Sequence, residues 1–213
     1  AVHRIMGPVM LSTASQSQGA QVIAYDPRAE DKTTFQLLDA IAESDRLREP
    51  DGGGIVLGAA LAENLGALPG RKVIYTLTDK KGEIVTGLAR VSGLIRTGMH
   101  SVDSSLCLLP IDAVRQVIGY GPDEATFVAV YLDDNRRSDA TAAALKAEVP
   151  AGVTALTWHD ASPDIAAFIG MKAGGLIVME VIMMLLTAAG IFNTLLVSVM
   201  ERLREFGILL AIG

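Results

Sequence analysis

Residues 173–199 read AGGLIVMEVIMMLLTAAGIFNTLLVSV, and Glu180 is the one charged residue among them. As a helix it would rise roughly 40 Å, more than the roughly 30 Å of a bilayer's hydrocarbon core. The alternative is a core helix buried on all sides, but the rest of the chain is too short to surround it. The pattern therefore predicts a transmembrane helix.

The charges beside this segment predict its orientation. Arg202 and Arg204 follow it, whereas Lys172 alone precedes it closely. Because cytoplasmic flanks carry the excess of Lys and Arg, residues 201–213 are expected in the cytoplasm and residues 1–168 outside it. The opening AVHRIMGPVM has no long apolar core typical of a signal peptide, so an earlier export signal or span is expected in the whole protein.

Composition excludes some classes of function. The chain is 50% hydrophobic and 20% charged, with a formal net charge of −6, and its mean hydropathy is +0.39. The hydrophobic share is high for a soluble domain. An acidic chain has no general attraction to phosphate backbones, so no nucleic-acid partner is expected. The lone cysteine, Cys107, cannot form an internal disulfide and does not indicate a redox compartment.

Before the apolar segment, short apolar runs alternate with turn residues, which predicts a mixed sheet with short helices. Strands are predicted at residues 21–25, 55–57, 72–78, 83–96, 105–109, 125–132 and 153–157. Helices are predicted at residues 33–42, 59–65, 110–118, 138–148 and 158–168. Asp79 to Gly82 (DKKG) is expected to be a hairpin turn with Gly82 at a positive φ. In TGMHSVDSSLCLLP, residues 97–110, Gly98 allows a sharp turn and Asp103 can accept hydrogen bonds that hold it.

Residue patterns that carry chemistry are scarce. The three histidines lie far apart, the glycine run at residues 52–54 lacks the Gly-Lys-Ser/Thr of a phosphate loop, and Ser104-Ser105 has no GxSxG around it. The acidic pairs at residues 123–124 and 133–134 lack the spacing of a calcium loop. The sequence therefore predicts no catalytic residue, no metal site and no cofactor, and we do not expect an enzyme.

Four runs of the chain together resemble one family. They are VIAYDP (22–27), GIVLGAALAENLGALPG (54–70), IRTGMHSVDSSLCLLP (95–110) and FNTLLVSVMERLREFGILLAIG (192–213). In this order they are similar to permease subunits of lipoprotein-releasing ABC transporters, the LolC/LolE type, within the larger MacB/FtsX-like permease group. The pattern ERxRExGILxAIG directly after a span is the most specific of them.

The resemblance implies an architecture. Such permeases have four spans, a large periplasmic domain between the first and second, and a short cytoplasmic helix after the second. Residues 1–168 would then be a MacB-like core domain with an α+β fold, residues 169–200 the second span, and residues 201–213 a short amphipathic coupling helix. The chain would be a fragment of a four-span protein of the bacterial inner membrane.

The resemblance also implies partners. These are a cytoplasmic ABC ATPase, a second permease subunit that is either identical or a sibling, a lipoprotein or other lipophilic cargo, and membrane lipid. The ATPase would hydrolyse ATP and push on the coupling helix. Its implied contact residues are Glu201, Arg202, Arg204, Glu205, Phe206, Gly207, Leu209 and Leu210.

Within the span, Met179, Met183 and Phe192 are candidates to line a cavity for acyl chains, because thioethers adapt to irregular lipid. The same side chains would also suit contact with bilayer lipid or sister helices. Glu180 suits either a helix bundle interior or the membrane interface.

Other functions stay open at this point. Within the same group these are a MacB-like efflux permease and a non-transporting FtsX-like regulator of a cell-wall hydrolase; further off is a sensor receptor. The hairpin turn at residues 79–82 is short where a carrier-recruiting permease has a long arm. This chain is therefore expected to act without such an arm.

Overall fold

The structure is a computed structural model that describes residues 1–150, 152–161 and 163–212. The chain divides into two compact units, Ala1–Tyr131 and Leu132–Gly213. The first unit contains all the strands of the described residues, and the second contains the long apolar helix.

Seven strands build the first unit. They are β1 (Val2–Ser12), β2 (Ser17–Tyr25), β3 (Gly54–Gly58), β4 (Lys72–Thr78), β5 (Ile84–Ile95), β6 (Leu106–Pro110) and β7 (Phe127–Ala129). Their order is β2-β6-β3-β5-β4-β1-β7, and β1 pairs in addition with β2. This extra pairing closes the first six strands of the order into a ring. The ring is mixed, because β2–β6 and β3–β5 are parallel whereas the other pairs are antiparallel.

The strands bury side chains on both faces of the sheet. On β3, Ile55 and Leu57 point into one hydrophobic cluster, whereas Val56 between them joins a second cluster. On β6, Cys107 likewise belongs to the first cluster and Leu108 to the second. This alternation follows from the two-residue period of a strand, and it makes β3 and β6 apolar at every position, as a strand buried on both faces should be.

Three short helices cover this sheet. They are α1 (Ala59–Leu65), α2 (His100–Asp103) and α3 (Ile111–Ile118). Helices α1 and α3 bury Leu61 and Val114 in the first cluster. Helix α1 ends at Gly66, whose φ of 61° lies in the left-handed region that favours glycine.

The second unit contains α4 (Ser138–Glu148), α5 (Trp158–Ala161) and α6 (Pro163–Ile212). Helix α6 runs for 50 residues and includes both the predicted span and the described part of the predicted coupling helix. It continues past Met200 without a break, so residues 201–212 extend the same helix rather than form a separate one.

Several predicted elements are confirmed and others are wrong. The hairpin at residues 72–96, the helices at 59–65, 110–118 and 138–148, and the strands at 21–25, 55–57 and 105–109 all form, within a few residues at their ends. The predicted helix at 158–168 is covered by α5 and the start of α6, and Ser162 lies outside the described residues.

The predicted helix at residues 33–42 is wrong, because only a 3-10 turn, Gln36–Ala40, forms there. The carboxylate of Asp31 accepts hydrogen bonds from the backbone N–H groups of Thr33 at 2.9 Å and Thr34 at 3.0 Å. Such side-chain bonds offer the backbone an alternative to a helix.

Two predicted strands are also corrected. The strand at 125–132 shortens to Phe127–Ala129, where β1 provides the partner. Residues 153–157 form no strand, since the described part of their unit offers none to pair with. The long strand β1 was not predicted, because Gly7 and Pro8 interrupt its apolar pattern.

Candidate functional site

The long apolar helix α6 is the first candidate site. Its segment Gly170–Leu203 is 34 residues long. The most apolar 18-residue stretch within it has a mean hydropathy of 2.2, and none of that stretch is buried. By length and composition this helix is able to cross a membrane. An uncovered surface of leucine, isoleucine, valine and methionine of this extent does not persist in water. Lipid or other helices must therefore cover it.

The three candidate cavity residues of α6 do not share a face. Met179 and Met183 are four residues apart and lie one above the other, whereas Phe192 lies nine residues after Met183, about 180° around the helix. All three are exposed, by 60%, 58% and 67%. One cavity beside α6 can therefore contain the two methionines or Phe192, but not all three, and the cavity itself stays a prediction.

The predicted coupling residues lie in the last third of α6. Glu201, Arg202 and Gly207 are exposed there. The side chains of five others lie outside the described residues: Arg204, Glu205, Phe206, Leu209 and Leu210. The backbone is helical through Ile212, so the coupling residues are joined to the apolar segment by an unbroken helix. Their contact with an ATPase stays a prediction.

The loop at residues 97–105 is held by its own carboxylate, as predicted. Asp103 Oδ1 accepts hydrogen bonds from the backbone N–H of Thr97 at 2.9 Å and from its hydroxyl at 2.8 Å. Gly98 turns the chain with a φ of 79°. Desolvation works against the charged form of Asp103, but the hydrogen bonds from Thr97, together with smaller contributions from the backbone of Gly98 and from His100, outweigh it and hold the pKa of this carboxyl below its usual value.

The same loop lies directly against the joint between β3 and α1. A Cβ atom placed on Gly58 would overlap the backbone carbonyl of Asp103. Only glycine permits this approach. The two runs GIVLGAALAENLGALPG and TGMHSVDSSLCLLP, which are distant in sequence, therefore meet backbone to backbone in the folded unit.

A cluster of polar groups that the sequence did not reveal holds the end of the first unit. The guanidinium of Arg4 pairs with Glu30, whose side chain is fully buried. The same guanidinium donates to the carbonyl of Thr34 at 3.1 Å and to the hydroxyl of Tyr131 at 2.7 Å, and it lies 4.3 Å from the centre of the Phe35 ring. The Tyr131 hydroxyl also donates to Thr34.

Tyr131 is the last residue of the first unit. The cluster therefore joins the last residue of the first unit to strand β1. Nearby, burial and then the charge of Glu30 raise the pKa of Tyr25 to about 12, so this phenol stays neutral. No local spacing indicates the cluster, because Arg4 lies 26 residues from Glu30 and 127 from Tyr131.

Chemistry at a pocket is not evident in the described part of the chain. There, no group of three or more His, Cys, Asp or Glu side chains is placed to hold a metal ion. An open cleft of about 470 Å³ lies beside α3, lined by Arg28, Pro50, Asp51, Asp112, Arg115, Gln116, Tyr120 and Pro122. Its two arginines and two aspartates balance in charge, and no nucleophile with an adjacent base lines it.

Comparison with known proteins adds one sequence match. No known family profile matches the chain. Over 136 residues it is 25% identical to the lipoprotein-releasing system transmembrane protein LolE of Haemophilus influenzae, a match that covers 59% of this chain and 31% of that protein. The chain thus spans about a third of the length of this relative. The match supports a protein of the ABC transporter permease type.

Among solved structures, the chain is similar to the extracellular domain of the noncanonic ABC-type transporter YknZ from Gram-positive bacteria. The TM-score is 0.45 at 11% identity, and the match covers 66% of this chain and 68% of that one.

Proposed function

We propose that this chain is part of an ABC transporter permease that carries ATP-driven motion from a cytoplasmic ATPase to an extracytoplasmic sheet body, in the release of lipoproteins from the inner membrane. The single observation that carries the proposal is the unbroken helix α6, Pro163–Ile212. This one helix combines an apolar segment whose side chains are exposed with a charged end.

A continuous helix suits transmission of motion. Its 50 residues rise roughly 75 Å, well beyond the roughly 40–45 Å of a whole bilayer with its headgroups. Because each backbone N–H is bonded to the carbonyl four residues before it, an axial push at one end displaces the other. A break at the membrane surface would absorb that push.

The distance between the charges that flank the apolar segment matches the thickness of a bilayer. Lys172 and Arg202 are 30 residues apart (202 − 172), roughly 45 Å along a helix, so each reaches a headgroup layer. The part of α6 after Arg202 then lies beyond the membrane. An exposed helix end with apolar side chains such as Leu203 and Ile208, 57% and 58% exposed, suits a groove on a soluble partner. We assign ATP hydrolysis to that partner.

The cargo is proposed from the sequence match alone. The relative is named for lipoprotein release, and nothing in the described pockets selects a small polar substrate. The turn between β4 and β5 is held by Asp79, whose carboxylate accepts from the backbone N–H groups of Lys81 and Glu83, each at 2.8 Å. A turn this tight offers no long arm, so we assign this chain the role that works without one.

The test uses Gly207 in the whole transporter, reconstituted in liposomes with a bound lipoprotein. Gly207→Pro breaks the helix at about 3 kcal/mol or more, whereas Gly207→Ala, the matched control, favours it. We expect Gly207→Pro to retain ATP hydrolysis but lose lipoprotein release, and Gly207→Ala to retain both. Normal release by the proline variant would refute the transmission role.

The same assay checks the cargo. If the unmodified transporter hydrolyses ATP but releases no lipoprotein, the cargo assignment is wrong even if the mechanical role holds. Activation of a cell-wall hydrolase by the purified complex, without release, would favour a regulator instead.

A further inference from the structure

Helix α6 carries a polar stripe, which we define as Glu180, Thr187, Thr194 and Ser198. Spacings of seven, seven and four residues place all four within a sector of about 40° at 3.6 residues per turn. One polar residue of the apolar segment lies elsewhere, Asn193, about 140° away from Glu180. The remaining circumference is apolar and exposed.

Thr187 and Thr194 satisfy their hydroxyl groups within the helix. The Thr187 hydroxyl donates to the carbonyl of Met183 at 2.8 Å, and the Thr194 hydroxyl donates to the carbonyl of Gly190 at 3.0 Å. With their protons used in this way, the two residues present small, largely apolar surfaces. Such surfaces allow another helix to approach closely in a membrane.

Glu180 is different, because it has no hydrogen bond or ion pair among the described residues. An acidic side chain in a membrane helix is costly and faces a partner rather than lipid. In a span centred on the middle of Gly170–Leu203, Glu180 lies roughly 10 Å from the centre and so within the roughly 30 Å hydrocarbon core. It therefore requires a hydrogen-bond donor from outside α6.

We propose that the polar stripe is the packing face of α6, and that its occupant is a different transmembrane helix with a basic or other hydrogen-bond donor side chain opposite Glu180. A seven-residue repeat keeps one face of a helix in contact with a neighbouring helix over several turns, when the two helices wind around each other in a left-handed supercoil. The inference rests on the proposed placement of α6 in a membrane.

A second copy of α6 is disfavoured by charge. In a parallel symmetric pair, each Glu180 would lie beside its own copy, and two like charges at one depth repel. A helix with a donor at that depth instead pairs the carboxylate. The opposite face, which includes Leu185, Phe192 and Leu196, is left to lipid.

The test compares two matched pairs of cysteine variants in the complete transporter, reconstituted in lipid bilayers and labelled with a nitroxide. Thr187→Cys and Thr194→Cys lie on the stripe, whereas Ala189→Cys and Leu196→Cys lie two residues further along, about 160° away at similar depth. Cys107 can stay, because it is fully buried. Electron paramagnetic resonance then measures label mobility and collision with dissolved oxygen, which concentrates in lipid.

We expect labels at 187 and 194 to be immobilised and to collide with oxygen severalfold less than labels at 189 and 196. Glu180→Leu should raise the oxygen collision of the label at 187 towards that at 189. Glu180→Gln, which still accepts a hydrogen bond, should leave it low. Equal collision on both faces would overturn the proposal, and so would disulfide formation between two copies of Thr187→Cys, since that would identify α6 itself as the occupant.

The same labels also test the membrane placement of α6 independently of the polar stripe. A water-soluble nickel chelate that collides with all four labels more than oxygen does would show that α6 is not in a membrane. If oxygen collides with the labels at 189 and 196 but much less with those at 187 and 194, the result supports both the membrane placement of α6 and the packing role of the stripe.

Discussion

The ion pair between Arg4 and Glu30 leads to a prediction about the stability of the first unit. Glu30 is fully buried, and 11% of the Arg4 side chain is exposed. Glu30→Ala would leave a nearly buried guanidinium without its counter-charge, a change that costs about 3–5 kcal/mol when no other partner exists. Arg4 would keep its bonds to Thr34 and Tyr131, so we expect the lower end of that range, about 3 kcal/mol.

The assay is hydrogen exchange of the complete protein, followed by mass spectrometry of peptides from β1 and from residues 127–131. A loss of about 3 kcal/mol corresponds to an increase of about 100-fold in the exchange rate of amides that open together with the cluster. Peptides from α6 provide the internal control, because the cluster contains no residue of that helix.

A double variant separates charge from packing. Arg4→Met with Glu30→Leu removes both charges and retains most of the volume, so it should recover most of the protection lost in Glu30→Ala. If Glu30→Ala leaves the exchange of β1 within about threefold of the unmodified protein, which is under 1 kcal/mol, the buried pair does not hold the end of the unit.

Three further predictions concern the same unit. Gly58→Ala should lower stability by about 1–3 kcal/mol, because the added methyl group overlaps the Asp103 carbonyl; Gly53→Ala, which meets no atom within 4 Å, should not, and equal melting temperatures would contradict the close approach. The lowered pKa of Asp103 stabilises its loop above the usual carboxyl pKa of about 4 and loses that effect as the pH falls through the lower folded value. Exchange of residues 97–105, corrected for intrinsic rates, should therefore rise at acid pH, and Asp103→Asn should remove this dependence. Burial raises the pKa of the Cys107 thiol, so maleimide should label it only after unfolding; rapid labelling of the folded protein would show that the core opens.

Local patterns predicted those elements whose stability is local. The helix at residues 59–65 has Gly66 to end it, and the hairpin at 72–96 has Asp79 to hold its turn. The loop at 97–105 contains both the acceptor and the donors of its own hydrogen bonds. In these cases the residues that stabilise the element lie within a few positions of it, so sequence order is enough.

Elements that depend on distant partners were harder to predict. Strand β1 contains Gly7 and Pro8, and it forms because three other strands pair with its two edges. Residues 153–157 have a strand-like pattern, but the described residues give them no such partner. The helix expected at 33–42 gives way to the hydrogen bonds of Asp31.

For the candidate site, the order of residues was enough to predict the apolar helix, its length and its flanking charges, because hydrophobicity and helical rise are properties of consecutive residues. Only the tertiary structure showed the ring of strands, the approach of Gly58 to Asp103, and the buried cluster that joins Arg4, Glu30 and Tyr131. These features depend on contacts between residues far apart in the chain. Such contacts form only when the closed sheet brings those residues together, and no local pattern encodes them.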